Sequence, residues 1–202
     1  LADHATDSED TGFSKEESVY VKADASGKVK KTTVSEWLKN PEKGTISDTS
    51  ELKDIKNVKG DETFKESGDT LTWNTDGEDI YYQGTTDQDL PVSVKLTYYL
   101  DGKEIKPADL KGKSGHLKIQ VDYTNKEKKT VSVDGKQEEV YTPFVMMTGM
   151  ILPNETFSNV TIDNGKVISD GSKNIVVGFG MPGMKESLNM DESKTEDLTI
   201  PE

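Results

Sequence analysis

Apolar and polar residues alternate along much of this chain with a period of two, the spacing that sends successive side chains to opposite faces of a β-strand. In SVYVKADASGKVKKTTV, Val19 and Val21 interleave with Tyr20 and Lys22 before an Asp-Ala-Ser-Gly turn and a second run, which predicts a β-hairpin. The period then changes. In TTVSEWLKNP, Thr33 and Glu36 have capping-box spacing, Val34, Trp37 and Leu38 share one helical face, and Asn40-Pro41 stops the chain. A short helix is predicted over 34–39, with Trp37 anchoring the N-terminal unit. In ELKDIKNVKG, Leu52, Ile55 and Val58 recur every third residue, which fits a short helix or an irregular ladder equally well. TLTWNTDGEDIYYQG reads as a second hairpin, because Leu71 and Trp73 alternate, Asp76-Gly77 supplies a turn, and Ile80 with Tyr82 resumes the pattern.

From Leu90-Pro91 onward the runs VSVKLTYYL, HLKIQVDYT, TVSV, VYTPFVMMTGMIL, NVTI, KVIS and NIVVGFG follow one another between Gly, Asn, Asp or Pro. Such spacing indicates an antiparallel β-sandwich of immunoglobulin-like type over 91–188. Val92, Val94, Leu96 and Tyr98 are expected on a dry face, as are Leu117, Ile119, Val121 and Tyr123, whereas Ser93, Lys95 and Thr97 face water. Lys106-Pro107-Ala108-Asp109-Leu110, closed by Gly112, predicts a single helical turn. VYTPFVMMTGMIL is apolar on both faces, so Met146, Met147 and Met150 belong to a strand expected to be buried on both sides.

The fold class is therefore mainly β: a small α+β, hairpin-rich unit over 17–90 precedes the sandwich. Residues 1–16 (LADHATDSEDTGFSKE) hold almost nothing to bury and predict a flexible tether, and 189–202 predict a second linker. A start at Leu1 fits a chain that begins downstream of a removed signal or anchor.

Composition narrows the chemistry. Apolar residues are 31% of the 202, below the usual share of about 45–50%, so the core is thin or divided. There are 38 acids against 25 bases, a net charge of −13, and every base is lysine. Nucleic acid is disfavoured as a partner, and without arginine no bidentate phosphate or carboxylate clamp can be built. The densest lysine runs, Lys28, Lys30, Lys31 and Lys126, Lys128, Lys129, sit in turn-like sequence and read as solvated. The absence of cysteine removes disulfides, thiolate nucleophiles and thiolate zinc sites. No apolar run approaches the roughly 18 residues of a membrane span, so any membrane link lies in segments outside this chain.

Catalytic machinery is not apparent. His4 lies in the tether, and His116 follows Gly115 at a strand start with no second histidine placed to share a metal. There is no GxSxG elbow, phosphate loop or dinucleotide fingerprint, and Gly178-Phe179-Gly180 runs into Met181-Pro182-Gly183 instead of opening a helix. The chain is expected not to be an enzyme and to need no cofactor. Asp76, Glu78 and Asp79, or Asp87 and Asp89, offer oxygen ligands for Ca²⁺, although Asp-rich turns more commonly bond their own backbone. Lysines and asparagines are plentiful, yet the flanking signature of a Lys-Asn isopeptide bond is missing. The candidate ligand-binding residues are Trp73 and Tyr81. Tyr81 must face away from Ile80 and Tyr82, where it either covers a seam between units or stacks on a sugar or a partner protein.

The segments SVYVKADASGKVKKTTVSEWLKN, LKDIKNVKGDETF, LTWNTDGEDIYYQGTTDQDLPVSVKLTYYLDGKEI, GKSGHLKIQVDYTN and VISDGSKNIVVGFGMPGMKESL resemble the N-terminal ectodomain of large, uncharacterised Firmicutes surface proteins, over about residues 16–202. In those proteins the region follows a secretion signal and precedes helical leucine-and-glycine repeats with membrane segments. The resemblance implies an extracellular place on a Gram-positive cell surface. The expected function is a non-catalytic module for adhesion, protein contact or spacing, with a protein or cell-wall polymer as partner. The alternative is a carbohydrate-binding module that uses aromatics near Trp73 and Tyr81.

Overall fold

The computed structural model describes residues 12–39, 41 and 44–188; His4, Asn40, most of the expected tether and the whole expected 189–202 linker lie outside them. The described residues are mainly β, with fifteen strands, a four-residue 3-10 turn and one α-helical turn of four residues, Met184–Ser187 (α1). Among them no helix is long and apolar enough to cross a membrane. They divide into two compact units: residues up to 89 together with 106–111, and residues 90–105 together with those from 112 onward.

The first unit contains β1 (Ser14–Ala23), β2 (Val29–Lys39), β3 (Thr45–Thr49), β4 (Lys53–Asn57), β5 (Phe64–Ser67), β6 (Thr70–Asn74) and β7 (Ile80–Thr86). Two antiparallel sheets result, one ordered β1-β2-β7-β4 and the other β3-β6-β5. The hairpin expected at the N-terminus is β1–β2, and its Asp24 carboxylate accepts from the backbone N–H groups of Ser26 and Lys28 to hold the turn. It begins at Ser14, so residues 14–16 are strand and not tether.

Two expectations fail here, for separate reasons, and the choice left open at 52–58 falls to the irregular ladder. Residues 34–39 are strand: Thr32, Val34, Glu36 and Leu38 are buried on one face of β2, and Trp37 is half-buried on the other. The inward position of an acid, Glu36, disguised a period of two as a helical period, and without that helix the described residues up to 89 are strands and connections. Ile55 lies in β4, an irregular edge strand whose pairing with β7 slips between Lys53 and Lys56. Finally, β6 and β7 do not form a hairpin. Asp76 and Gly77 do make the turn, with φ of 48° and 88°, but β6 pairs with β3 and β5 while β7 pairs with β2 and β4. The chain crosses there from one sheet to the other.

That crossing creates the core. Leu38, Ile80 and Tyr82 from one sheet meet Ile46, Leu71 and Trp73 from the other, all essentially inaccessible to water. Trp73 is sandwiched between Phe64 and Tyr82, with ring centroids 4.6 and 5.4 Å away. Gly84 in β7 admits β4, since a Cβ there would lie 2.6 Å from Leu52 Cβ.

A polar cluster shares this interior. The Tyr82 hydroxyl donates to Asp48 Oδ2 at 2.5 Å, and Lys15 donates to both Asp48 oxygens at 3.1 Å while standing 3.4 Å from Glu36 Oε1. Glu36 Oε2 is buried with no hydrogen-bond partner among the described residues. Burial pushes the Glu36 carboxyl up to about 8; Lys15 opposes the shift, and Glu17 and Asp48 reinforce it. For Lys15, burial pulls the ammonium down, but the Asp48 and Glu36 carboxylates outweigh it and hold it above its ordinary value.

The second unit contains β8 (Val92–Leu100), β9 (Lys103–Ile105), β10 (Leu117–Asn125), β11 (Lys128–Val133), β12 (Lys136–Tyr141), β13 (Met146–Pro153), β14 (Gly165–Ser169) and β15 (Lys173–Gly180). They form two three-stranded antiparallel sheets, β10-β8-β9 and β13-β15-β14, and the β11–β12 ribbon. Asp101-Gly102 and Asp134-Gly135, all four at positive φ, make the tight turns of β8–β9 and β11–β12. The predicted helical turn is a 3-10 turn at Pro107–Leu110, in the 106–111 segment that groups with the first unit. Tyr123 of β10 shares a hydrogen bond with Thr148 of β13, which joins the two sheets, and Asn125 donates to the Thr142 and Pro182 carbonyls at 2.7 and 3.1 Å.

Sequence alternation misassigned several faces in this unit. Thr97 is buried whereas Val94 is exposed. Strand β13 is not buried on both sides: Met146 and Met150 are half-buried, but Met147 stands open. Strand β15 does run on, through Met181-Pro182-Gly183, into the turn of α1. Lys30, Lys31, Lys128 and Lys129 are exposed as expected, but on strands β2 and β11 instead of turns.

Two outcomes follow. Replacing Trp73 with Ala opens a cavity between the sheets and should destabilise the first unit by about 3–5 kcal/mol in denaturant unfolding. Glu36 gives a pH signature. Its folded pKa lies above its ordinary 4.5, so the stability associated with its proton is complete below that pH and is lost as pH rises toward about 8. Thermal midpoints measured across this window should fall for the wild type, and Glu36→Gln should flatten the slope and be the more stable protein at the alkaline end.

Candidate functional site

On the outer face of the four-stranded sheet the same alternation that buries Ile80 and Tyr82 turns Tyr81 outward, as expected from the sequence. Its cross-strand partner is Trp37, and the rings stack with centroids 5.2 Å apart and planes inclined by 19°. The Trp37 indole N–H donates to Asp79 Oδ2 at 2.9 Å, which fixes the indole in its plane. A lysine caps each ring: Lys39 Nζ lies 3.9 Å from the Trp37 centroid and Lys59 Nζ 4.2 Å from that of Tyr81. Lys39 is also ion-paired with Glu16.

Beside Tyr81 opens a cleft of about 510 Å³ lined by Lys59, Gly60, Glu62, Gly77, Glu78, Asp79 and Tyr81. The loop after β4 is ordered by Asn57, which donates to the backbone oxygen and carboxylate of Glu62, both at 3.0 Å, and accepts from the N–H of Lys59. Val58 N–H bonds the Tyr81 carbonyl at 2.8 Å and ties this loop to β7. The opposite wall is the 75–79 crossing, where Glu78 N–H bonds the Thr75 carbonyl. Two loops distant in sequence thus meet over one aromatic ring.

The structure brings Tyr81, Glu78 and Asp79 together but removes Trp73 from the site. Trp73 is 0% exposed and serves the core, so it cannot touch a ligand. Trp37 takes the place expected of it, and it was missed because a helical reading of 34–39 put it inside. Asp76 sits exposed in its turn and does not line the cleft. Among the described residues, no three His, Cys, Asp or Glu side chains gather in a way that could hold a metal ion. Asp87 is held by Lys53 at 2.8 Å, which lowers its pKa. His116 is exposed, and its backbone N–H donates to Asp101 in the turn.

An open cleft with one aromatic face, mobile ammonium groups and carboxylate acceptors can stack on and hydrogen-bond a polyhydroxylated ligand. No protein-family model matches the chain, and no curated protein or solved structure matches it.

Because Asp76 does not line the cleft and Asp79 is engaged by Trp37, adding Ca²⁺ at roughly 1 mM, the range of weak extracellular sites, should leave the thermal midpoint where a chelator leaves it. A rise that the chelator reverses would restore Asp76, Glu78 and Asp79 as a calcium site.

Proposed function

We propose that this chain is a non-catalytic contact module displayed outside a Gram-positive cell, where it binds a cell-wall polymer or a protein of the envelope. The cell-surface placement rests on the resemblance of residues 16–202 to Firmicutes ectodomains. The mode of contact rests on one observation, the outward-facing Trp37–Tyr81 stack beside the open cleft. Carbohydrate binding is the reading it favours. A sugar ring displaces the flexible Lys59 from Tyr81, and Glu62, Glu78 and Asp79 accept from its hydroxyls. The net charge of −13 and these rim acids disfavour anionic polymers, so the ligand class is an uncharged glycan. The two sheets of the second unit, joined by Tyr123 and Thr148, support reading that unit as an immunoglobulin-like scaffold.

Binding of the chain to neutral wall glycans should be measurable on a glycan array and by calorimetry. Tyr81→Ala should weaken it about tenfold, in line with the 0.5–1.5 kcal/mol of an aromatic contact, without moving the thermal midpoint by the margin expected for Trp73→Ala. A wild-type chain that gives no signal on such an array would sink the carbohydrate reading.

A further inference from the structure

The β13-β15-β14 sheet has one face toward β10, where Thr148 meets Tyr123, and that face also carries Met146, Met150 and Leu152. The register puts Met147 opposite Phe179, Gly149 opposite Val177, Ile151 opposite Ile175, and Ile168 beside Ile175, all on the other face. That other face is open to solvent. Met147 is 70% exposed, Ile151 65%, Ile168 49% and Phe179 45%, and Val145 just before β13 is 69% exposed. Strands that are apolar on both faces are ordinarily covered on both. In a chain with 38 acids, none falls in these three strands; of their two lysines, Lys173 stands at the end of the face opposite Pro153, and Lys166 on the outer strand β14 beside Val177.

We propose that this face is where two copies of the chain meet, face to face, in a two-fold symmetric pair. Charge favours a copy as the occupant. Each chain carries −13, but the repulsion between acidic copies falls elsewhere, because the meeting surfaces hold no acid. An acid-free, largely apolar sheet face can meet its own copy, which an isologous contact requires. Area agrees. At roughly 200 Å² for a large apolar side chain, the five exposed residues present about 600 Å², the upper end for a monomer's largest patch. Two copies bury about 1,200 Å² between them, the lower bound of specific interfaces. The contact is therefore a reversible one, weaker than that of an obligate dimer.

Sedimentation velocity on the whole chain, from roughly 1 μM to 1 mM, tests this. The expected result is a concentration-dependent shift from monomer to dimer, abolished by Met147→Lys with Ile151→Lys. The thermal midpoint of the dilute monomer should stay unchanged, because both side chains are already exposed in it. A wild-type chain that stays monomeric throughout, or a dimer that survives both substitutions, overturns the proposal. So does a lowered midpoint at constant monomer mass, since that outcome means the face is covered within one chain. None of these results bears on Tyr81, whose cleft lies in the other unit.

Discussion

Tyr82 is the side chain on which the first unit closes. Its ring stacks on Trp73 from the opposite sheet, and its hydroxyl donates to Asp48 on β3, so one residue carries both the apolar and the polar link between layers. A buried tyrosine needs such a hydrogen bond, because leaving its hydroxyl unpaired costs about 1–3 kcal/mol. Once Tyr82 points inward, the pleat leaves its neighbour no choice. Tyr81 must stand on the outer face, against Trp37 and over the cleft. The core and the candidate binding surface are thus two readouts of one strand register.

The acidic excess makes the interior more demanding. Glu36 and Asp48 occupy buried positions that an ordinary sandwich fills with valine or leucine, and Lys15, reaching in from the exposed β1, neutralises part of what it bridges. A buried ion pair of this kind is weak support for stability, since desolvation offsets much of its attraction. What it does supply is directionality. Asp48 can satisfy Tyr82 and Lys15 together only in the β3–β6 register observed, which places Asp48 opposite Leu71.

Much of the β character was legible in the sequence, and the misreadings share a cause. Alternation located β1, β2, β8 and β10 because their pattern is local. It failed on residues 34–39, where an acid sits at an inward position, and on 70–82, where an Asp-Gly turn that elsewhere closes a hairpin instead joins two sheets. The difference lies in the five residues between Asn74 and Ile80, against the two between Leu100 and Lys103. For the site, Tyr81 followed from the parity of Ile80 and Tyr82. Trp37 could have been found by pairing β2 with β7, but that pairing spans some fifty positions and leaves no local trace. Lys59 and Glu62 reach the cleft through Asn57, an asparagine whose role in the loop only the fold reveals.

The pairing of β2 with β7 carries a consequence for how the chain comes into being. Thr32 lies opposite Thr86 and Leu38 opposite Ile80, so the second hydrogen-bonding edge of β2 has no partner strand until residues 80–86 are available. A chain that emerges amino-terminus first, from a ribosome or a translocation pore, can form the solvated β1–β2 ribbon early, yet the edge of β2 that bonds β7 stays open to water until residues 80–86 follow. Closure of such long-range pairs is slow compared with local hairpins. Order of arrival, and not contact energy alone, decides when this unit becomes a folded body.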